Sequence, residues 1–247
     1  MTSAVLNVGS GGRPNAAWDN LDLLGVVGLI RRALTRRSTP NFIRHRLPKA
    51  LPIADGSYQG IYCAQVVEHF DRNDALKILS EFARVLTAGG VARIIVPDLE
   101  TQARRYLAAI ESMAVERPGD GASEEYEFAK LWLIEQFVRR TPGGELTRFL
   151  QTASPQLRNG NRLSAGEPNK LVAALPAPVR HLMVVRTGQL HQWSYDRIDL
   201  VELARKAGFE SVKVVDAKTS KRQDFIDFDN DELGELQVGS LYVECTR

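Results

Sequence analysis

The chain has 247 residues, enough for one α/β domain with insertions, and its 44% hydrophobic and 25% charged content is that of a globular protein with a sizeable core. Thirty-two basic against 30 acidic residues leave a net charge of +2, which gives no footprint for nucleic acid or an anionic membrane. The two cysteines, Cys63 and Cys245, stand in no zinc spacing and imply no disulfide framework, so no metal motif is read. No apolar run approaches the roughly 20 residues of a membrane span, and Ala4-Val5-Leu6 follows no basic-then-apolar leader; a cytoplasmic protein is expected.

In chain order, residues 4–8 predict a short buried strand, and Gly9 to Pro14 a loop. A second strand fits 18–23. Apolar positions at helical spacing predict a helix over 24–36, where Arg31-Arg32 and Arg36-Arg37 suit a solvated helix end and Pro40 stops continuation. A third strand fits 41–45, and the turn at Leu51 to Gly56 leads into a fourth at 58–63. Asp71 is placed to cap a helix over 72–87, with Leu76, Leu79, Phe82, Ala83 and Leu86 on one face and Gly89-Gly90 as its end. Val91 to Val96 is then a continuous apolar strand interrupted only by Arg93.

The alternation of strand and helix through residue 96 is the pattern of an α/β fold with an open, mostly parallel sheet. Residues 99–150 read as two helices around a polar loop at Pro118 to Gly121, and 151–190, with its glycines and prolines, as an insertion or lid. A helix at 197–207 ends at Gly208, followed by strands at 211–216 and 240–245. The whole is expected to be one domain: 1–98 the cofactor-binding half, 99–190 a mainly helical insertion, and 191–247 the remainder of the sheet.

Chemistry concentrates at Asn7-Val8-Gly9-Ser10-Gly11-Gly12, where glycines let a backbone approach a ligand. A nicotinamide-binding loop is a rival reading. It would need a full helix after the glycines to take the pyrophosphate, and Pro14 and Trp18 leave room for one turn at most. Asp22, at the end of the second strand, can accept hydrogen bonds from ribose hydroxyls. Two further segments follow in order: Ala64-Gln65-Val66-Val67-Glu68-His69-Phe70 and Arg84-Val85-Leu86-Thr87-Ala88-Gly89-Gly90.

This ordered set resembles the class I S-adenosylmethionine-dependent methyltransferases, in the branch called methyltransferase type 11, over residues 4–99. His191-Gln192-Trp193-Ser194-Tyr195 before a helix is similar to the same group. The resemblance implies a Rossmann-like sheet with helices on both faces and an antiparallel strand at its C-terminal end. It implies S-adenosylmethionine as cofactor, held by Asn7, Gly9, Ser10, Gly11, Gly12, Asp22, Arg46, Leu47, Ala64 and Gln65. Two positions depart from the family: Asn7 stands where an acid is usual, and Arg46 where an acid often lies near the adenine. Those departures keep open a methyltransferase-like binding protein without turnover.

Methyl transfer from a sulfonium asks mainly for alignment and a dry cavity; a base is needed only for a hydroxyl or protonated amine. His69, His191 and Tyr195 are the candidates for activating an acceptor, which is expected to be a small molecule or saccharide, with the 99–190 insertion on the acceptor side. The bland readings stand beside these. Glu68 can bond neighbouring backbone amides, and the His191-Trp193-Tyr195 turn can be a core staple. Glu135–Arg139 is expected as a surface pair. Asp229, Asp231 and Glu232 are not spaced as a calcium loop and are expected at the surface.

Overall fold

A computed structural model describes residues 4–11, 13–23, 41–115, 122–138, 144–157, 176–179, 190–230 and 239–247. The predicted helix at 24–36, Gly12, the loop at 118–121 and most of the expected lid at 151–190 lie outside the described residues.

The chain divides into two compact units. The first comprises 1–97, 195–232 and 241–247, and the second 98–194 and 233–240. Among the described residues seven strands form one sheet: β1 (Val5–Val8), β2 (Asp19–Asp22), β3 (Phe42–Arg44), β4 (Tyr58–Ala64), β5 (Leu86–Pro97), β6 (Ser211–Val215) and β7 (Ser240–Thr246), in the order β3-β2-β1-β4-β5-β7-β6. The pairs β3–β2, β2–β1, β1–β4 and β4–β5 are parallel, and β6–β7 is antiparallel. The end of β7 meets the start of β5, with Gly89 N–H donating to the Arg247 carbonyl and Arg247 N–H to that of Gly90. Strand order thus reverses between β1 and β4, and in open α/β sheets ligands bind beyond the carboxyl ends of strands at such a switch point.

The period-two alternation of strands sorts the two faces. Leu6, Val8, Ile61, Cys63, Ile94, Val96, Val243 and Cys245 join one core with α1 (Arg72–Val85) and α5 (Arg197–Lys206). On the other face Tyr62 packs with Trp18 and with Phe225 and Phe228 of α6 (Gln223–Phe228). Helix α1 forms where it does because Asp71 Oδ1 accepts from the N–H groups of Asn73 and Asp74, each at 2.9 Å. Its inward residues Ala75, Ile78, Leu79, Phe82 and Val85 then fall at three- and four-residue spacing.

Gly89-Gly90 do not end α1. The helix stops at Val85, Leu86 is already extended, and the two glycines lie inside β5. Pairing of Leu86 with Tyr58 starts the strand early, and Gly89, at φ +72, bends it where it meets Arg247.

In the second unit, α2 (Leu99–Val115), α3 (Ala122–Val138) and α4 (Gly144–Thr152) take the place of the two predicted helices; α2 packs on α3 and α3 on α4. Phe128, Trp132, Leu146 and Leu150 share a separate core with Ala153 and Leu157. Arg105 pairs with Glu125 and lies over the rings of Phe128 and Trp132. Glu135 is buried, contrary to the surface position expected for it, and its Oε1 takes the Glu145 N–H at the start of α4 at 3.1 Å; Arg139 lies outside the described residues. No helix among the described residues is long and apolar enough to cross a membrane.

Candidate functional site

The turn after β1 is built from backbone conformations that favour glycine. Gly9 and Gly11 have φ of +68° and +49°. The Gly9 and Ser10 N–H groups both point at the Leu21 carbonyl, at 2.8 and 3.3 Å, which fastens the turn to β2. Gly11 N–H donates to Asp22 Oδ2. The two glycines are required for different reasons. A Cβ at Gly9 would overlap Val66 Cγ2, so the space there is already filled by the protein. A Cβ at Gly11 would meet only Gly9 O at 3.7 Å and Asp22 Oδ2 at 3.9 Å, so Gly11 faces the open side of the turn. Among the described residues between Gly9 and Trp18 there is no helix to receive a pyrophosphate.

Asn7 is buried, and its Nδ2 donates to the Arg13 carbonyl and to Asn20 Oδ1, each at 3.1 Å. Asn20 Nδ2 in turn donates to the carbonyls of Asn15 and Trp18, both at 2.8 Å. An asparagine pair therefore folds the 13–18 connection back over β1 and β2. The sequence reading missed Asn20, because in the polar stretch Asp19-Asn20-Leu21-Asp22 nothing local marks its amide as buried.

Arg46 is exposed, while Leu47 packs against the sheet core. Ala64 ends β4 and Gln65 follows at φ +56°, a left-handed conformation uncommon outside glycine, with its N–H on the Ile95 carbonyl at 2.8 Å. The turn Val67–His69 comes next, closed by His69 N–H on Val66 O and Phe70 N–H on Val67 O.

Glu68 is 1% exposed, and neither carboxyl oxygen has a partner within hydrogen-bond distance among the described residues; its own backbone N–H is the one amide that acts on it. Burial pushes its pKa up to about 8. His69 Nε2 lies 3.9 Å from Glu68 Oε1, beyond hydrogen-bond length, and the His69 side chain is partly open to solvent.

Of the other two acceptor-side candidates, Tyr195 belongs to the first unit and is fully buried. Its hydroxyl has no partner among the described residues, and burial raises its pKa. Asp196 beside it caps α5, and Arg72 pairs with Asp199 one turn on. His191 belongs to the second unit, where its ring meets that of Phe137 edge-on at 6.1 Å. The His191-Trp193-Tyr195 turn is thus divided at Ser194.

On the opposite sheet face, Asp229 is fully buried, contrary to the surface position expected for it. Its Oδ2 takes Arg93 Nε at 2.8 Å and its Oδ1 takes the Tyr62 hydroxyl; Arg93 also reaches Glu244 at 3.2 Å and the carbonyls of Ala217 and Thr219. The isolated cation of β5 is what makes that burial possible.

Residues 21–94 match the methyltransferase domain family, type 11. No curated protein matches the sequence. Among solved structures, the chain is similar to the PH0226 protein from Pyrococcus horikoshii OT3, with 20% identity and a TM-score of 0.35 over 42% of this chain and 54% of that one, so it spans about half of that protein's length. It is also similar to a possible histamine N-methyltransferase from Thermotoga maritima, at 15% identity and a TM-score of 0.46, with 100% and 83% of the two chains covered. An S-adenosylmethionine-dependent methyltransferase from Mesorhizobium loti gives 16% identity and a TM-score of 0.46 over 100% and 91%.

Proposed function

We infer that this chain, which carries a class I S-adenosylmethionine-dependent methyltransferase domain, holds its methyl donor within residues 1–98, on the turn between β1 and β2. The observation that carries this reading is the clamp of Gly11 N–H on Asp22 at the carboxyl end of β1, with Gly11 facing open space beside it. When bound, the donor supplies an electrophilic methyl on a sulfonium. The chain's residues position it. Ser10 and Gly11 line the turn, Asp22 presents its carboxylate to the ribose hydroxyls, and Ala64 and Gln65 lie under the adenosyl end, with Arg46 and Leu47 flanking the adenine.

A bound donor would supply its methyl to an acceptor heteroatom and would leave as a neutral thioether, with any proton of the acceptor lost to solvent. Of His69, His191 and Tyr195, we assign acceptor contact in the first unit to His69, because its side chain reaches solvent and Tyr195 is sealed. The acceptor we propose is a small molecule or saccharide, met in the cytoplasm. Calorimetry of the full chain against S-adenosylhomocysteine and NAD tests the cofactor site. Micromolar binding of S-adenosylhomocysteine, about −8 kcal/mol, is expected. No heat at millimolar ligand, or preference for NAD, overturns the assignment of the turn.

A further inference from the structure

We propose that Glu68 and His69 together hold a divalent cation beyond the end of β4, through Glu68 Oε1 and His69 Nε2, and that its remaining positions take oxygens of the acceptor. The inference rests on the methyl-transfer reading for the acceptor's part and on the geometry alone for the cation.

Four other carboxylates are buried among the described residues, and each has a hydrogen-bonded partner. Asp19 has the Tyr58 hydroxyl, Glu135 the Glu145 N–H, Asp229 has Tyr62 and Arg93, and Glu244 has Arg93 and the Lys221 N–H. Glu68 departs from that rule with both oxygens. A buried carboxylate without partners is costly: it keeps its proton or meets a positive charge, and a cation bound beside it displaces that proton.

The neighbouring imidazole does not satisfy it by a hydrogen bond, since 3.9 Å is too long. It does suit shared ligation: two donors each about 2.1 Å from one ion stand roughly 3–4 Å apart, depending on the angle between them. The backbone holds both side chains in place. Gln65 at φ +56° turns the chain off β4, and the closed turn at 67–69 fixes Glu68 and His69 in succession. Left-handed backbone outside glycine persists where surrounding structure imposes it, and it clusters at ligand sites.

The donor set indicates the ion. A carboxylate with an imidazole suits manganese, iron(II) or zinc better than calcium, which takes oxygen alone, or copper(I), which takes sulfur. Two protein donors leave most positions open. Adjacent hydroxyls, as on a saccharide, can fill two of these at once, and ligation of a hydroxyl raises its acidity.

The test uses the full-length protein stripped of metal and titrated with Mn2+, with free ion followed by electron paramagnetic resonance. One Mn2+ per chain is expected, displaced by Zn2+, with affinity at least tenfold weaker in Glu68→Gln and in His69→Asn. Glu68→Gln keeps the buried shape, and its circular dichroism is read alongside. Bound Mn2+ should also enhance the relaxation rate of water protons, because positions are open. Absence of binding at millimolar Mn2+, or affinity in both variants unchanged from the parent, means the two residues are not ligands and overturns the proposal. Bound Mn2+ without relaxation enhancement overturns the acceptor's part. Binding of S-adenosylhomocysteine to the metal-free protein is measured separately, so failure of the cofactor reading is not confused with failure of the cation site.

Discussion

Asn7 Nδ2 donates to Asn20 Oδ1 at 3.1 Å, joining β1 to β2 directly beneath the glycine turn. Asn7 uses the same amide to hold the Arg13 carbonyl. Both partners are acceptors, so the position demands a donor. That accounts for Asn at a position where the resemblance leads one to expect an acid. Asn7→Asp should therefore weaken the protein instead of improving cofactor binding. A carboxylate there would face two oxygens without a proton between them, at a cost of about 1–3 kcal/mol for a buried group left unsatisfied. Urea unfolding at neutral pH measures the loss. Unchanged stability would mean that the 13–18 connection is held by other contacts.

The glycines of the turn should separate under mutation. Gly9→Ala overlaps Val66 and also sits at positive φ, so it should cost about 1–3 kcal/mol by overpacking, with left-handed strain in addition. Val66→Ala in the same chain should recover part of that loss. Gly11→Ala meets no crowding and should cost only the backbone strain, about 1–2 kcal/mol, yet lose most of the affinity for S-adenosylhomocysteine. Thermal unfolding and calorimetry on the same preparations distinguish them. If Gly11→Ala binds normally, the open side of the turn is not the cofactor's side.

Local patterns in the sequence carried much of the fold. The short apolar runs at 4–8, 58–63 and 91–96 and the cap at Asp71 each express themselves within a few residues, so strands and helix were legible there. The positions read differently depend on distant partners. Asp229 is buried because Arg93 lies 136 residues earlier in the chain, and no local pattern links them. Glu135 is buried because α4 starts ten residues further on and brings Glu145 N–H to it. The turn of glycines after β1 was legible as a loop, but the difference between Gly9, packed on Val66, and Gly11, on the open side, depends on a residue after β4. Glu68 was readable as a motif residue; its lack of partners is a property of three-dimensional burial alone.

Asp22 is expected to contribute twice. One carboxylate oxygen holds Gly11 in place, and the carboxylate is also the proposed contact for the ribose. Asp22→Ala should weaken S-adenosylhomocysteine by about 1.5–3 kcal/mol, the range for hydrogen bonds to a charged group. Asp22→Asn retains an oxygen able to accept from Gly11 N–H and should lose less. Equal losses would indicate that charge matters more than the clamp, and no loss in either would place the ribose elsewhere.

Arg93 is the cation on which the far face of the sheet depends. It is fully buried, bonds Asp229 and Glu244, and stacks against the Tyr242 ring at 4.8 Å. Arg93→Met keeps most of the apolar volume but strands two carboxylates away from water. Removing one partner of a buried pair costs about 3–5 kcal/mol, because the remaining charge is uncompensated. The loss should depend on pH. Asp229 is already raised above the ordinary carboxylate range, chiefly by burial, with Arg93 pulling in the opposite direction. Without Arg93 its pKa should rise further. A carboxyl whose pKa is raised on folding binds its proton more tightly in the folded state, so its penalty is present at pH above its folded value. That penalty fades as pH falls toward the unfolded value. Arg93→Met should therefore differ most from the parent near neutral pH and approach it in mild acid, and adding Asp229→Asn should relieve part of the neutral-pH loss. Urea midpoints across that range measure the effect, and a loss independent of pH would assign it to packing against Tyr242 instead of to the stranded charges.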